Sequence, residues 1–231
     1  MRSDIEGVAF DLDGTLYPNY RLNVRLIPFI FKELRFISAF GKARQIIRDE
    51  QLKGLALPED FYRHQAEKLA GVLSLPKDST DLIKEKIDTL IYRGWEPIFK
   101  KVQLFKGVFE TLAALKKAGY KLGLLSDFPP EIKIKYLGID SFWDVVLCSE
   151  NSGALKPHPL SFKDLARAMS LPAEKILYVG NSRSYDVAGA AGTGMKTAWI
   201  KSKFFIGSGF KKPKPDFSFH SYRQLYKYMI E

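Results

Sequence analysis

The stretch IEGVAFDLDGT, residues 5–15, decides the fold: a nearly continuous apolar run, 5–10, ends in the acidic turn Asp11-Leu12-Asp13-Gly14. Strands buried on both faces of a parallel sheet read this way, because neither face is left to polar residues. From about Arg21 to Lys100 the chain has a helical pattern instead, with expected helices over 22–40 (kinked or started at Pro28), 42–53, 59–73 and 78–93. Gly41, Gly54, Pro58, Pro76 and Gly94 punctuate them. After about Gln103 the pattern alternates. Helices are expected over 108–118, 130–137, 160–169 and 185–191, and strands over 121–126, 144–147, 175–180 and 196–200. A brief basic, proline-rich linker at 211–215 precedes a last strand-like piece, 216–219, and a short terminal helix. Alternation of this kind implies an α/β fold with a parallel sheet covered on both faces. One strand stands before the helical block and the rest after it. The expected organisation is therefore a core of residues 1–16 and 101–231, interrupted by an all-helical cap domain, 17–100.

Composition narrows the class. The 231 residues are 46% hydrophobic and 27% charged, as in ordinary globular proteins. No run approaches the roughly 18 apolar residues of a membrane span, so no membrane role is expected. The acids Asp4 and Glu6 near the start argue against a signal peptide. One cysteine, Cys148, excludes an internal disulfide framework and fits a cytoplasmic protein. Three widely separated histidines argue against a structural zinc cluster. Lysine and arginine outnumber the acids 36 to 26, a formal charge of +10 that attracts anions. The basic residues are scattered, so nucleic-acid binding is expected to be absent or unspecific.

Open parallel sheets bind ligands at the carboxyl ends of their strands. Asp11, Asp13, Gly14 and Thr15 follow the first expected strand, and Ser126 closes the second with Asp127 behind it. Lys156 lies in the loop after the third, and Asn181 through Asp186 follow the fourth. These residue types suit phosphoryl transfer. A carboxylate such as Asp11 can attack phosphorus, splitting one difficult step into two. A second acid, Asp13, can protonate the leaving oxygen and later deprotonate water. Gly14 allows close backbone approach and Thr15 adds a donor. Ser126, with Asp127 and the amides nearby, can hold another phosphate oxygen, and Lys156 supplies positive charge. Acids so close together call for a hard cation, and an all-oxygen set suits Mg²⁺.

DLDGT at 11–15, Ser126, Lys156 in LKPHP and GNSRSYDVAGA at 180–190 resemble, in order, the four motifs of the haloacid dehalogenase superfamily. The helical block fits that superfamily's helical-cap phosphatase subgroup by position and length. The resemblance implies a Rossmann-like core with an inserted cap, Asp11 as nucleophile and Asp13 as general acid/base. It also implies Mg²⁺ held by Asp11, the backbone carbonyl of Asp13, and Asp186. Asn181 departs from the pattern, which has an acid there, and is expected to weaken Mg²⁺ binding without abolishing activity. Asp13 argues against the dehalogenase branch, which needs no leaving-group acid. The function expected is hydrolysis of a small phosphorylated metabolite through an aspartyl-phosphate. A phosphomutase on the same scaffold, and a weakly catalytic protein binding through its basic surface, are the alternatives.

Other residues carry plainer expectations. His158 reads as loop structure between two prolines and Cys148 as a small buried hydrophobe. Phe29, Phe31, Phe36 and Phe40 read as core packing of the helical block. Lys201, Lys203, Lys211, Lys212 and Lys214 read as a solvated face, and Arg21 and Arg25 as residues near a hinge.

Overall fold

The computed structural model describes residues 4–201 and 213–231, with the side chains of 21–32, 77 and 95–97 left aside. Arg21, Arg25, Phe29, Phe31, Lys203, Lys211 and Lys212 therefore lie outside the described side chains. In chain order the elements are β1 (Gly7–Phe10), α1 (Asn19–Leu52), α2 (Phe61–Val72), α3 (Thr80–Ile87), α4 (Arg93–Phe99) and α5 (Val108–Lys117). There follow β2 (Lys121–Ser126), α6 (Glu131–Tyr136), β3 (Val145–Cys148), α7 (Pro159–Ala168) and β4 (Ile176–Gly180). The chain continues through α8 (Ala188–Gly192), β5 (Lys196–Ile200), β6 (Phe217–Phe219) and α9 (Tyr222–Ile230). No helix among the described residues is long and apolar enough to cross a membrane.

The strands form one sheet in the order β3-β2-β1-β4-β5-β6, and every pairing is parallel. β1 lies between β2 and β4, where the strand order reverses, which is where open α/β sheets leave a crevice for ligands. All four of its residues are buried. Val8 and Phe10 join a core with α5 and α9, through Leu112, Leu115, Tyr222 and Leu225. Ala9 faces the opposite core, built on Phe162, Leu165 and Tyr178. The absence of polar residues in 7–10 thus has its cause in two covered faces.

Between β1 and β2 the described chain forms only helices, with a core of their own that includes Phe36, Phe40, Ala43, Leu69, Ile83 and Ile87. The break expected at Gly41 does not occur. α1 runs through it and departs from helical geometry at Glu33 instead (φ −128°, ψ 23°). Phe36, Phe40, Ala43 and Ile47 are all buried at helical spacing, and that packing outweighs glycine's propensity penalty. Likewise the helix expected to end near Arg93 continues to Phe99, through a π-helical turn at Asp88–Tyr92.

Gly41 is solvent-exposed, and an added Cβ would meet nothing within 4 Å. Gly41→Ala is therefore expected to raise stability by about 0.5–1 kcal/mol, measured as the shift in urea midpoint. A destabilised variant would mean that α1 is not a regular helix at this point.

Candidate active site

Asp11 is the first residue past β1, and its amide donates to the carbonyl of Val179 at 2.9 Å, which fixes it between β1 and β4. Its carboxylate is almost wholly buried. Thr15 Oγ1 donates to Asp11 Oδ2 at 2.6 Å, and Lys156 Nζ lies 2.7 Å from Asp11 Oδ1. The same ammonium lies 2.7 Å from Asp186 Oδ1. Asp186 Oδ2 accepts the amides of Asn181 and Ser182 at 3.1 and 2.9 Å. Asp186 folds over the α-carbon of Gly180, where a Cβ would come within 2.3 Å of it.

Burial pushes the Asp11 carboxyl up to about 7; the charges of Asp186 and Asp13 add to this, and Lys156 opposes it. Burial alone would lower the Lys156 ammonium, but Asp11 and Asp186 raise it well above its ordinary value. Two acids thus share one lysine, leaving excess negative charge that a further cation would relieve.

Asp13 occupies the neighbouring position. Lys133 Nζ, from the first turn of α6, lies 2.9 and 3.0 Å from its two carboxylate oxygens. The Tyr17 hydroxyl donates to Oδ1 and Ser126 Oγ approaches Oδ2 at 3.4 Å. The backbone carbonyl of Asp13 accepts from the Asn181 side-chain amide at 3.3 Å. Gly14 turns the chain there with φ +87°, and a Cβ would lie 2.0 Å from Asn181 Nδ2. Only glycine fits that turn.

A second polar cluster joins α1 to the loops below it. Arg44 Nη1 contacts Glu150 and donates to Gln65 Oε1 at 2.7 Å, while Nη2 donates to the Asp127 carbonyl at 2.7 Å. One turn on, Arg48 donates to Asp127 Oδ2 at 2.8 Å and to the Lys156 carbonyl at 2.9 Å. Gln51 exchanges hydrogen bonds with Gly153 and Leu155. The Tyr92 hydroxyl, carried on the π-helical turn, donates to Glu150 at 3.0 Å. Burial would raise the Asp127 carboxyl, but the charges of Lys156, Arg48 and Arg44 outweigh it and bring it to about 2.

The structure thus brings Asp11, Thr15, Lys156 and Asp186 into direct contact, sets Asp13 and Ser126 side by side, and lays Asn181 and Gly14 against the Asp13 backbone. Asp127 is used differently. Its carboxylate turns to Arg48, Ser149 and the Lys156 amide rather than toward Asp11. His158 caps α7 by accepting the Leu160 amide, and Cys148 is buried and free, its thiol pushed up by burial. Lys214 is exposed, while Lys201 lies over the Trp199 ring. Tyr17, Lys133, Arg44 and Arg48 were missed from sequence. The available signals are the i, i+4, i+7 spacing of Arg44, Arg48 and Gln51 on one helix face, and the placement of Lys133 just after the second strand's loop.

Residues 5–194 match the family described as haloacid dehalogenase-like hydrolase. A glyceraldehyde 3-phosphate phosphatase from Pyrococcus abyssi is 39% identical over 98 residues, 41% of each chain. A phosphoglycolate phosphatase from Shigella boydii is 25% identical over 238 residues, 96% of this chain and 91% of that one. Among solved structures, an HAD phosphatase from Thermococcus onnurineus superposes with a TM-score of 0.68 at 23% identity, covering 98% of both chains. L-2-haloacid dehalogenases share the fold as well.

A lowered carboxyl stabilises the folded state above its unfolded pKa and loses that contribution as pH falls through its folded value. Asp127→Asn is therefore expected to cost about 2 kcal/mol at pH 7, with the gap to the parent narrowing between about pH 4 and pH 2. Urea unfolding of both proteins across that window reads the difference. A gap that does not change with pH would show that the charge of Asp127 is not what α1 depends on.

Proposed function

The chain belongs to the haloacid dehalogenase-like hydrolases, and we propose that it hydrolyses a small phosphate monoester with Asp11 as nucleophile. The observation that carries this proposal is the pairing of a buried, lysine-bridged Asp11 with a separately held Asp13 at the same sheet edge. In the first half-reaction an Asp11 oxygen bonds to phosphorus as the bond to the leaving oxygen breaks, and Asp13 gives that oxygen a proton. In the second, Asp13 takes a proton from water, which attacks phosphorus and frees Asp11. Thr15, Ser126, Lys156 and the amides of the loops hold the phosphoryl oxygens throughout.

The residues fit a hard cation. Asp11, the Asp13 carbonyl and Asp186 offer oxygens only, and Mg²⁺ takes few protein carboxylates while keeping waters. Those three would hold it, with Asn181 adjacent, and its charge would offset that of the phosphoryl group. The phosphatase names of the relatives support a small phosphorylated metabolite as substrate. Dehalogenation shares the fold but needs no proton donor where Asp13 is held by three side chains. We take residues 17–100 as a cap over the core of 1–16 and 101–231, excluding water and choosing the leaving group.

Asp11→Asn is expected to abolish Mg²⁺-dependent phosphate release, because an amide is too poor a nucleophile; Asp13→Asn should lose most turnover and keep phosphate binding. Near-normal turnover by Asp11→Asn, free of contaminating phosphatase, would sink the nucleophile assignment.

Asn181 provides a separate test. Its amide faces the Asp13 carbonyl, and a carboxylate there would repel that oxygen unless a cation lay between them. Asn181→Asp is expected to lower the Mg²⁺ concentration for half-maximal activity by about tenfold, the lower end for changes beside a metal site. An unchanged or higher requirement would remove Asn181 from the metal account.

A further inference from the structure

Lys133 is not needed to hold the nucleophile, yet it sits where the leaving group of the proposed reaction must lie. Asp13 can protonate the leaving oxygen only from within hydrogen-bond reach. The leaving group therefore extends away from Asp11 on the Asp13 side. On that side Lys133 lines a cavity of about 210 Å³ together with Ile91, Tyr92, Phe99, Phe128 and Pro129. This is smaller than the roughly 300–1,000 Å³ of sites for drug-sized ligands, and it suits a leaving group of a few carbons.

The walls are mostly apolar and aromatic. Lys133 is the cation among the lining residues, and the acid among them, Glu131, stands exposed at the start of α6. The Lys133 ammonium lies 5.1 Å from the ring centroids of both Phe99 and Phe128, and only 12% of its side chain is exposed. An ammonium has three N–H donors, and Asp13 lies on one side of this one. A second anion presented from the cavity would meet a positive charge in surroundings of low polarity, where such hydrogen bonds are strongest.

We propose that Lys133 is a specificity-determining residue that selects phosphate monoesters whose short leaving group carries a carboxylate. The proposal rests on the phosphatase reading above and deepens it by naming the substrate class.

The test compares matched esters, 2-phosphoglycolate against ethyl phosphate and 3-phosphoglycerate against glycerol 1-phosphate, with the parent protein, Lys133→Met and Lys133→Arg. The parent is expected to favour the carboxylate ester of each pair. Lys133→Met should raise KM for the carboxylate esters by about tenfold or more and change KM for the neutral ones little. Lys133→Arg should keep the preference. Should the methionine variant not fold, Lys133→Gln replaces it in the same comparison. An equal fall in kcat for both esters, with KM unmoved, would show that Lys133 only positions Asp13 and would overturn the proposal. If no ester is turned over, the phosphatase reading fails by itself, and calorimetry with Mg²⁺ present still decides the role of Lys133. Tighter binding of 3-phosphonopropionate than of propylphosphonate, lost in Lys133→Met, supports it; equal binding of the two by the parent protein overturns it.

Discussion

Two carboxylates and one ammonium, each with no more than 7% of its side chain exposed, meet at the end of β1. Taking three charges out of water costs several kcal/mol per ion unless geometry and further hydrogen bonds compensate. The compensation is visible atom by atom. Lys156 bridges one oxygen of Asp11 and one of Asp186, Thr15 donates to the other oxygen of Asp11, and two backbone amides donate to the other oxygen of Asp186. Because these groups come from loops after β1, β3 and β4, the trio can form only when those strands are in register. The chemistry and the sheet topology are thus one requirement.

The same lysine is held from its backbone. Its amide donates to Asp127, and its carbonyl accepts from Arg48 on α1. Asp127 and Glu150 in turn receive Arg48 and Arg44. The helical block therefore reaches Lys156 through one direct hydrogen bond, from Arg48 to its carbonyl, and indirectly through the Arg48 contact to Asp127. The loop after β1 is tied from the opposite side, where the Tyr222 hydroxyl of α9 donates to the Thr15 carbonyl at 2.7 Å. The charges gathered at the end of β1 thus rest on elements from both ends of the chain.

Much of the core was legible because buried parallel strands announce themselves. The segments around Val8, Leu124, Val146, Leu177 and Ala198 are apolar on both faces and bounded by turn residues, so strands and the loops after them were recoverable. That Asp11, Lys156 and Asp186 meet was legible from their ordered places after successive strands together with the motif resemblance. Helix boundaries were less legible. Gly41 and Gly94 read as stops, but burial of Phe40, Ala43 and Ile91 nearby carried the helices through. Least legible were the residues whose meaning lies in their partner. Tyr17 reads as one more aromatic, Lys133 as a surface lysine and Arg44 as a solvated helix charge. Each takes its role from a group far along the chain or across a turn, and no local period records that approach.

The contacts of α1 also constrain how this chain can be recombined. Arg44, Arg48 and Gln51 meet Glu150, Asp127 and the backbone of 153–156 as a matched set of charges and lengths. A helical block transplanted from a relative without those three side chains would leave Glu150 buried with its cation gone and Asp127 with Lys156 alone. For Glu150 the penalty is that of a severed buried pair, about 3–5 kcal/mol. The block and the core are therefore not independent modules; descent or engineering can exchange one only by carrying its half of the set along with it.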